Sequence, residues 1–307
     1  MKLMIATCQF PVDADICRNQ EYVMRQMRAA KERGADVAHF PEACLSGYAG
    51  ADFASCDELD WGLLRDSTER VLDLARQLRL WVILGSSHRL TGPHKPHNSL
   101  YIVDDRGELV DRYDKMFCAG DDDPDTPTGD LANYSPGNHF SVFSIGGIRC
   151  GALICHDYRY PELYREYKRR GVQVMFHSFH AGHVIPERLR AMQDYVGAEF
   201  HRLNRGSTLP GITMPATMQA AAAANHVWIS CPNSSARESA WPSFFVRPDG
   251  VMTGRLRLHT AGVLLSTVDT DEPLYDSTAA WRDRALHGVF HSGTLVRDKR
   301  SEDRTRL

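Results

Sequence analysis

The sequence contains no stretch approaching the roughly 18 apolar residues of a membrane-crossing helix. Its opening, MKLMIATCQFPVDAD, has an apolar run too short for a signal peptide, broken at once by Gln9, Pro11 and Asp13. Neither sign of charge is in excess: 36 Lys and Arg stand against 39 Asp and Glu, a formal net charge of −3. That balance argues against a nucleic-acid partner, which calls for a basic stripe. The eight cysteines, at 8, 17, 44, 56, 118, 150, 155 and 231, include no CxxC pair, which removes the usual zinc-ribbon and thioredoxin-like readings. Internal repeats and Pro/Gly/Ser-rich linkers are also missing, and the one low-complexity run, Ala220–Ala224, suits a closely packing helix face. What is there is 307 residues, 43% hydrophobic and 24% charged, the proportions of a soluble globular protein able to enclose a site. The expectation is one continuous domain in a reducing, cytoplasmic compartment, with the charge-dense tail Arg297–Arg306 as a solvated terminus.

Periodicity sets out alternating strands and helices. Leu3–Thr7 reads as a strand, Val23, Met27 and Ala30 mark one face of a helix ending at Gly34, and Val37–Phe40 is a second strand. Val71, Leu74, Ala75 and Leu78 fall at i, i+3, i+4, i+7 on a helix that feeds a strand at Trp81–Gly85. Hairpins are expected for Ser99–Val103 with Glu108–Asp114, for Phe140–Ser144 with Ile148–Ile154, and near Ser243–Arg255. Between and after them come a helix from Pro161, a strand at Val172–His177, a helix at Met214–Ala224, and strands at Val227–Cys231 and Gly262–Asp269. Helices and strands interspersed with hairpins predict an α/β fold of mixed sheets covered by helices. SIGG at 144–147 is too short and ill-spaced for a dinucleotide loop and fits a hairpin turn.

Three reactive side chains each fall just beyond an expected strand: Glu42, Lys115 and Cys155. Strand ends are where α/β proteins gather sites. Pro161 suits the first turn of a helix, so the Cys155 thiol lies near a helix amino terminus that favours thiolate, which makes it a candidate nucleophile. Taken singly, a Cys ending an apolar strand is more often a small core residue, and a lone Glu or Lys is more often solvated.

Together the three are more specific. HFPEACLSGY (39–48), YDKMF (113–117) and GALICHDYRYPELYR (151–165) resemble the Glu, Lys and Cys motifs of the nitrilase superfamily, the carbon–nitrogen hydrolases, in that family's order and intervals. ATCQF with Asn19 and the late SFFVRPDG (243–250) also match, so the resemblance runs from about Lys2 to Asp269. It implies a four-layer αββα sandwich, a domain spanning 1–280, and a C-terminal extension, 281–307, at the interface of a homodimer or larger homo-oligomer. It also implies a site that needs no metal and no cofactor. Cys155 is then the nucleophile and Glu42 the proton carrier, with Lys115 and the backbone N–H of His156 stabilising an oxyanion.

Two positions depart from the family pattern. Relatives carry a second Glu seven residues before the Gly of a PG pair, and in DLANYSPG that place is Asp130. Asp130 is either a fourth site member, one methylene short, or an acidic loop residue near the run Asp121–Asp125. Relatives also show Arg-Ala-x-Glu-Asn before the strand at Val227, whereas this chain has Ala221 and Ala224 and keeps Asn225.

His177, His180 and His183 form an HxxHxxH run after an expected strand; with Glu187 its ligand types suit zinc, but a pocket wall or polar loop is the preferred reading, with His180 a substrate contact. The stretch Ala181–Pro215 suits a lid or an interface element. HDYRYPE after the nucleophile is similar to the amidase and carbamoylase branch. The expected function is thiol hydrolysis of a small linear amide or N-carbamoyl compound with release of ammonia, the alternatives being nitrile hydrolysis at the same site or a catalytically silent binding or assembly member.

Overall fold

The computed structural model describes residues 1–121, 123, 126–204 and 206–305; Asp122 and Asp125 of the acidic run, and Arg306 of the tail, lie outside them. The strands are β1 (Lys2–Gln9), β2 (Val37–His39), β3 (Trp81–His88), β4 (His97–Val103), β5 (Leu109–Asp114), β6 (Val142–Ile145), β7 (Ile148–Ile154), β8 (Val174–Ser178), β9 (Trp228–Cys231), β10 (Phe244–Val246), β11 (Met252–Arg255) and β12 (Gly262–Asp269). The helices are α1 (Ile16–Glu32), α2 (Trp61–Leu78), α3 (Pro161–Arg169), α4 (Pro186–Val196), α5 (His201–Asn204), α6 (Leu209–Asn225), α7 (Arg282–Leu286) and α8 (Lys299–Glu302).

The strands form two six-stranded sheets, ordered β12-β1-β2-β3-β4-β5 and β11-β10-β9-β8-β7-β6. Period-2 alternation assigns each face. Along β1, Leu3 and Ile5 turn toward the second sheet, and Ala6 and Cys8 turn toward α1 and α2. Ile16, Val23, Met27 and Ala30 of α1 with Leu64, Val71, Leu74 and Ala75 of α2 close that outer layer. On the other side, Leu163, Tyr164 and Tyr167 of α3 and Met214, Met218 and Ala222 of α6 cover the second sheet. The result is the expected αββα sandwich.

In both sheets the strand directions repeat. From β12 to β5 the successive pairs are antiparallel, parallel, parallel, antiparallel and antiparallel. From β6 to β11 the sequence of pairs is the same. The topology is therefore duplicated although the sequence carries no repeat. Between the sheets a short polar chain joins the central strands: Thr7 Oγ1 to Ser230 Oγ (2.7 Å), Ser230 Oγ to His39 Nδ1 (2.9 Å) and His39 Nε2 to Ser178 Oγ (2.8 Å).

Most expected elements form within a few residues. Gly146 and Gly147, with φ of +57° and +84°, make the tight β6–β7 turn that SIGG suggested. Helix α6 begins at Leu209 rather than Met214, because Thr208 caps it through Gly211 N (3.2 Å) and Pro215 is tolerated inside it. Helix α4 was not expected as a separate element; none of its residues is buried, so it presents no core-facing period. Among the described residues no helix is long and apolar enough to cross a membrane.

Candidate active site

Strands β2, β5 and β7 deliver three functional groups to one end of the sandwich. Glu42 follows β2 in a turn whose next residue, Ala43, has φ +50°. The turn presses so closely on β3 that a Cβ on Gly85 would lie 2.1 Å from the Pro41 carbonyl oxygen, so only glycine fits behind Glu42. Lys115 follows β5, its N–H bonded to Asn98 O and its carbonyl to Gly137 N (both 2.9 Å).

Lys115 and Glu42 are wholly buried and meet as Nζ to Oε1 at 2.9 Å. Asn98 Nδ2 donates to the same oxygen at 2.8 Å. Asp130 reaches the opposite side of the ammonium, Oδ2 to Nζ at 2.6 Å, and accepts from Ala119 N–H (2.9 Å) and from the Tyr48 hydroxyl. Asp130 is thus buried against Lys115 and Tyr48, not free in the acidic loop. Burial works against the ammonium, but Glu42 first, then Tyr48, Cys155 and Asp130, outweigh it and hold the Lys115 pKa well above its usual value. Burial likewise opposes the charge on Asp130, and Lys115 outweighs it, leaving that carboxyl below the ordinary range.

Cys155 closes β7 and opens a short helical turn, Cys155–Arg159, before Pro161 starts α3. Its φ is +41°, a left-handed backbone that a residue with a Cβ adopts only under constraint. The constraint is visible two residues on. Asp157 is buried and accepts from Ile154 N (3.0 Å), Phe117 N (2.9 Å) and Tyr113 OH (2.8 Å), tying the Cys155 turn to the segment that carries Lys115. Burial outweighs these donors and pushes the Asp157 carboxyl up to about 6. Burial, and after it the neighbouring Glu42 carboxylate, holds the partly exposed Cys155 thiol well above its usual pKa. The resting sulfur therefore keeps its proton beside a carboxylate and an ammonium.

A family model described as carbon–nitrogen hydrolase matches residues 4–273. This chain belongs to the carbon–nitrogen hydrolase family. It is 26% identical over 163 residues to nitrilase homolog 2 of Dictyostelium discoideum, a match covering 52% of this chain and 48% of that protein. To the omega-amidase NIT2 of Bos taurus it is 29% identical over 176 residues, 56% of this chain and 61% of that one. The matches thus span about half to three-fifths of these curated relatives. Among solved structures, an amidase from Nesterenkonia sp. superposes with a TM-score of 0.68 at 22% identity, covering 88% of this chain and 91% of that chain. That likeness establishes a shared fold.

Within this hydrolase-family fold the first histidine of the HxxHxxH run parts from the other two, which share Asp52. His177, on β8, lies beneath Cys155, with Nε2 3.2 Å from the Cys155 carbonyl oxygen. His180 stacks on Tyr48 (5.2 Å) and bonds Asp52 Oδ2 at 3.0 Å. Burial opposes its protonation, but the Asp52 carboxylate outweighs burial and raises its pKa. His183 bonds Val12 O (3.0 Å) and lies 3.3 Å from Asp52 Oδ1. Among the described residues no group of three or more His, Cys, Asp or Glu side chains is placed to hold a metal.

A cavity of about 360 Å³ opens beside the charged cluster, lined by Tyr48, Asp130, His180, Trp241 and, from α4, Arg188 and Met192. The segment 181–215 thus contributes a wall at the cavity mouth. Ala221 and Ala224, where relatives carry Arg and Glu, instead line a second cleft of about 360 Å³ between α3 and α6; Asn225 caps back to Ala221 O at 2.8 Å.

Asn98, Tyr48, Asp52 and Asp157 were not singled out from the sequence. Tyr48 and Asp157 lie inside the motif segments and carried that signal; Asn98 and Asp52 have partners far away in the chain and carried none.

Lys115→Met removes the buried cation and leaves two buried carboxylates. Removing one partner of a buried pair costs about 3–5 kcal/mol. In the parent, Asp130 has a depressed pKa, so its contribution is present above the unfolded value of about 3.9 and is lost as pH falls through the folded one. In the variant burial acts without that counter-charge, the carboxyl pKa rises, and stability is lost as pH increases through it. Urea denaturation is expected to show the widest gap between parent and variant near neutral pH and a narrower one toward about pH 4.

Proposed function

We propose that this chain is a thiol hydrolase that cleaves the C–N bond of a small linear amide or N-carbamoyl compound. The observation that carries the proposal is the Cys155 thiol in its left-handed strand-end turn, beside the buried Glu42–Lys115 pair. A protonated sulfur needs a base, and Glu42 is the carboxylate next to it. Sulfur attacks the carbonyl carbon as Glu42 takes the thiol proton; the carbonyl π electrons move onto oxygen. Lys115 and the His156 N–H stabilise that oxyanion. Its collapse breaks the C–N bond as Glu42 returns the proton to the departing ammonia. Water, deprotonated by Glu42, then adds to the thioester, and the acid leaves as Cys155 regains its proton. Asp130 orients Lys115 from the far side, and His180 supplies a polar wall to the cavity. None of these steps requires a metal or cofactor.

The substrate class is supported by the relatives. Omega-amidase NIT2, a formamidase of Helicobacter acinonychis and a 2-oxoglutaramate amidase of Bacillus subtilis are among them. A cysteine-to-alanine mutant of the Nesterenkonia amidase is described in complex with butyramide, and a glutamate-to-glutamine mutant with the acetamide moiety of fluoroacetamide joined to its active-site cysteine. A cavity of about 360 Å³ suits a compact substrate of that kind.

The proposal includes a homodimer or larger assembly of domains spanning 1–280, with 281–307 at the interface. Trp281, Phe290, Leu295 and Val296 are exposed apolar residues of that extension. All eight cysteines are free thiols, which suits a reducing, cytoplasmic compartment.

Ammonia release from purified protein, screened over short amides, ureido acids and nitriles, tests the activity. Cys155→Ala is expected to abolish turnover with the fold intact; activity surviving in the Ala variant would sink the mechanism. Asp130→Asn is expected to lower kcat/KM by on the order of 10²-fold, with Asp130→Glu retaining activity. Light scattering is expected to report at least twice the 34.5 kDa chain mass, and a stable monomer at micromolar concentration would count against the interface.

A further inference from the structure

His177 is fully buried on β8, with its ring between Tyr164 (5.9 Å, 28°) and Phe179 (4.4 Å, 10°). Its Nδ1 lies 2.7 Å from the Tyr164 hydroxyl and its Nε2 3.2 Å from the Cys155 carbonyl oxygen. A carbonyl only accepts, so Nε2 carries a proton. Burial pushes the imidazole down to about 3, so the ring is neutral and Nδ1 accepts from Tyr164. Both ring nitrogens therefore have fixed roles.

The Cys155 carbonyl shares a peptide unit with the His156 N–H. That unit is planar and trans, so its C=O and N–H point in opposite directions. A donor that holds the carbonyl thereby sets the direction of the N–H. The hold matters here because Cys155 stands at φ +41°, and rotating this peptide unit is a route by which such a turn relaxes. A hydrogen bond to the carbonyl further polarises the amide and strengthens its N–H as a donor.

The two residues that follow hold the other side of the site. Ser178 Oγ donates to Phe40 O (2.8 Å), and Glu42 N donates to Phe179 O (3.2 Å). Three successive residues at the end of β8 thus grip the Cys155 turn and the Glu42 turn together.

We propose that His177, held in its Nε2–H tautomer by Tyr164, is a positioning residue that aims the His156 N–H at the oxyanion formed during amide cleavage. The proposal rests on the amide-hydrolase reading of this site. It assigns to the first histidine of the HxxHxxH run a role in rate, not in substrate affinity.

The test compares the full-length parent with His177→Phe, His177→Gln and Tyr164→Phe on the best amide from the ammonia screen. His177→Phe is expected to lower kcat by about 10- to 100-fold with KM within about twofold. It should weaken by a similar factor the binding of the corresponding aldehyde, whose thiohemiacetal oxygen occupies the oxyanion position. Iodoacetamide alkylation, a displacement that forms no oxyanion, should stay within about twofold of the parent rate. Gln, which still offers an N–H to the carbonyl, should restore most of kcat, and Tyr164→Phe should fall between. If His177→Phe does not fold, the Gln and Tyr164→Phe variants carry the comparison: near-parent kcat for Gln with a reduced kcat and aldehyde affinity for Tyr164→Phe supports the proposal. Unchanged kcat and aldehyde affinity in the variants that fold overturn it, as does a parallel fall in alkylation, which would mean a collapsed nucleophile turn. An active parent with indifferent variants defeats this inference alone. A parent that releases no ammonia from any amide and forms no aldehyde adduct defeats the hydrolase reading and this inference with it.

Discussion

A buried ammonium between two carboxylates governs the rest of the site. Lys115 has given up its hydration, and the attraction of Glu42 and Asp130 offsets that loss only while the geometry stays tight and the remaining lone pairs have donors. Asn98, Tyr48 and the Ala119 N–H meet part of that demand. Each comes from a different segment, so the charged cluster fixes how the loops after β2 and β5 converge on the start of β4. Burial, and after it the Glu42 carboxylate, keeps the proton on the resting Cys155 thiol. A resting thiol beside a carboxylate resists adventitious alkylation and oxidation better than a free thiolate would.

Much of this arrangement was legible in the chain. The strands β1, β4 and β7 were expected within a few residues of where they form, and three reactive residues fell just beyond strand ends. Asp130 stood out only through the resemblance, which places a second carboxylate seven residues before Gly137. Asn98 and Asp52 were not legible, since nothing local distinguishes a polar side chain that meets its partner across the fold from one that meets water. Helix α4 was missed for a related reason: a helix that lines a cavity mouth has no buried stripe to set a period. The three histidines were read as one unit from their spacing, yet β8 ends between the first and the second. Past that end the chain leaves strand geometry, so the second and third histidines turn together to Asp52 while the first meets the Cys155 carbonyl.

The duplicated strand order shows how weakly topology depends on residue identity. The same directional pattern is built twice by segments without recognisable similarity, using only the alternation of apolar positions, a right-handed crossover preference and short hairpins. What differs between the copies is what stands at the strand ends. In one sheet those ends carry the carboxylate and the ammonium; in the other they carry the thiol.

The polar chain from Thr7 through Ser230 and His39 to Ser178 therefore does more than fill the space between sheets. Glu42 and Lys115 ride on one sheet and Cys155 on the other, so the spacing between the sheets sets how far the sulfur stands from the carboxylate. A core that swelled by a fraction of an ångström at the centre would leave each half of the cluster intact and carry the sulfur away from Glu42.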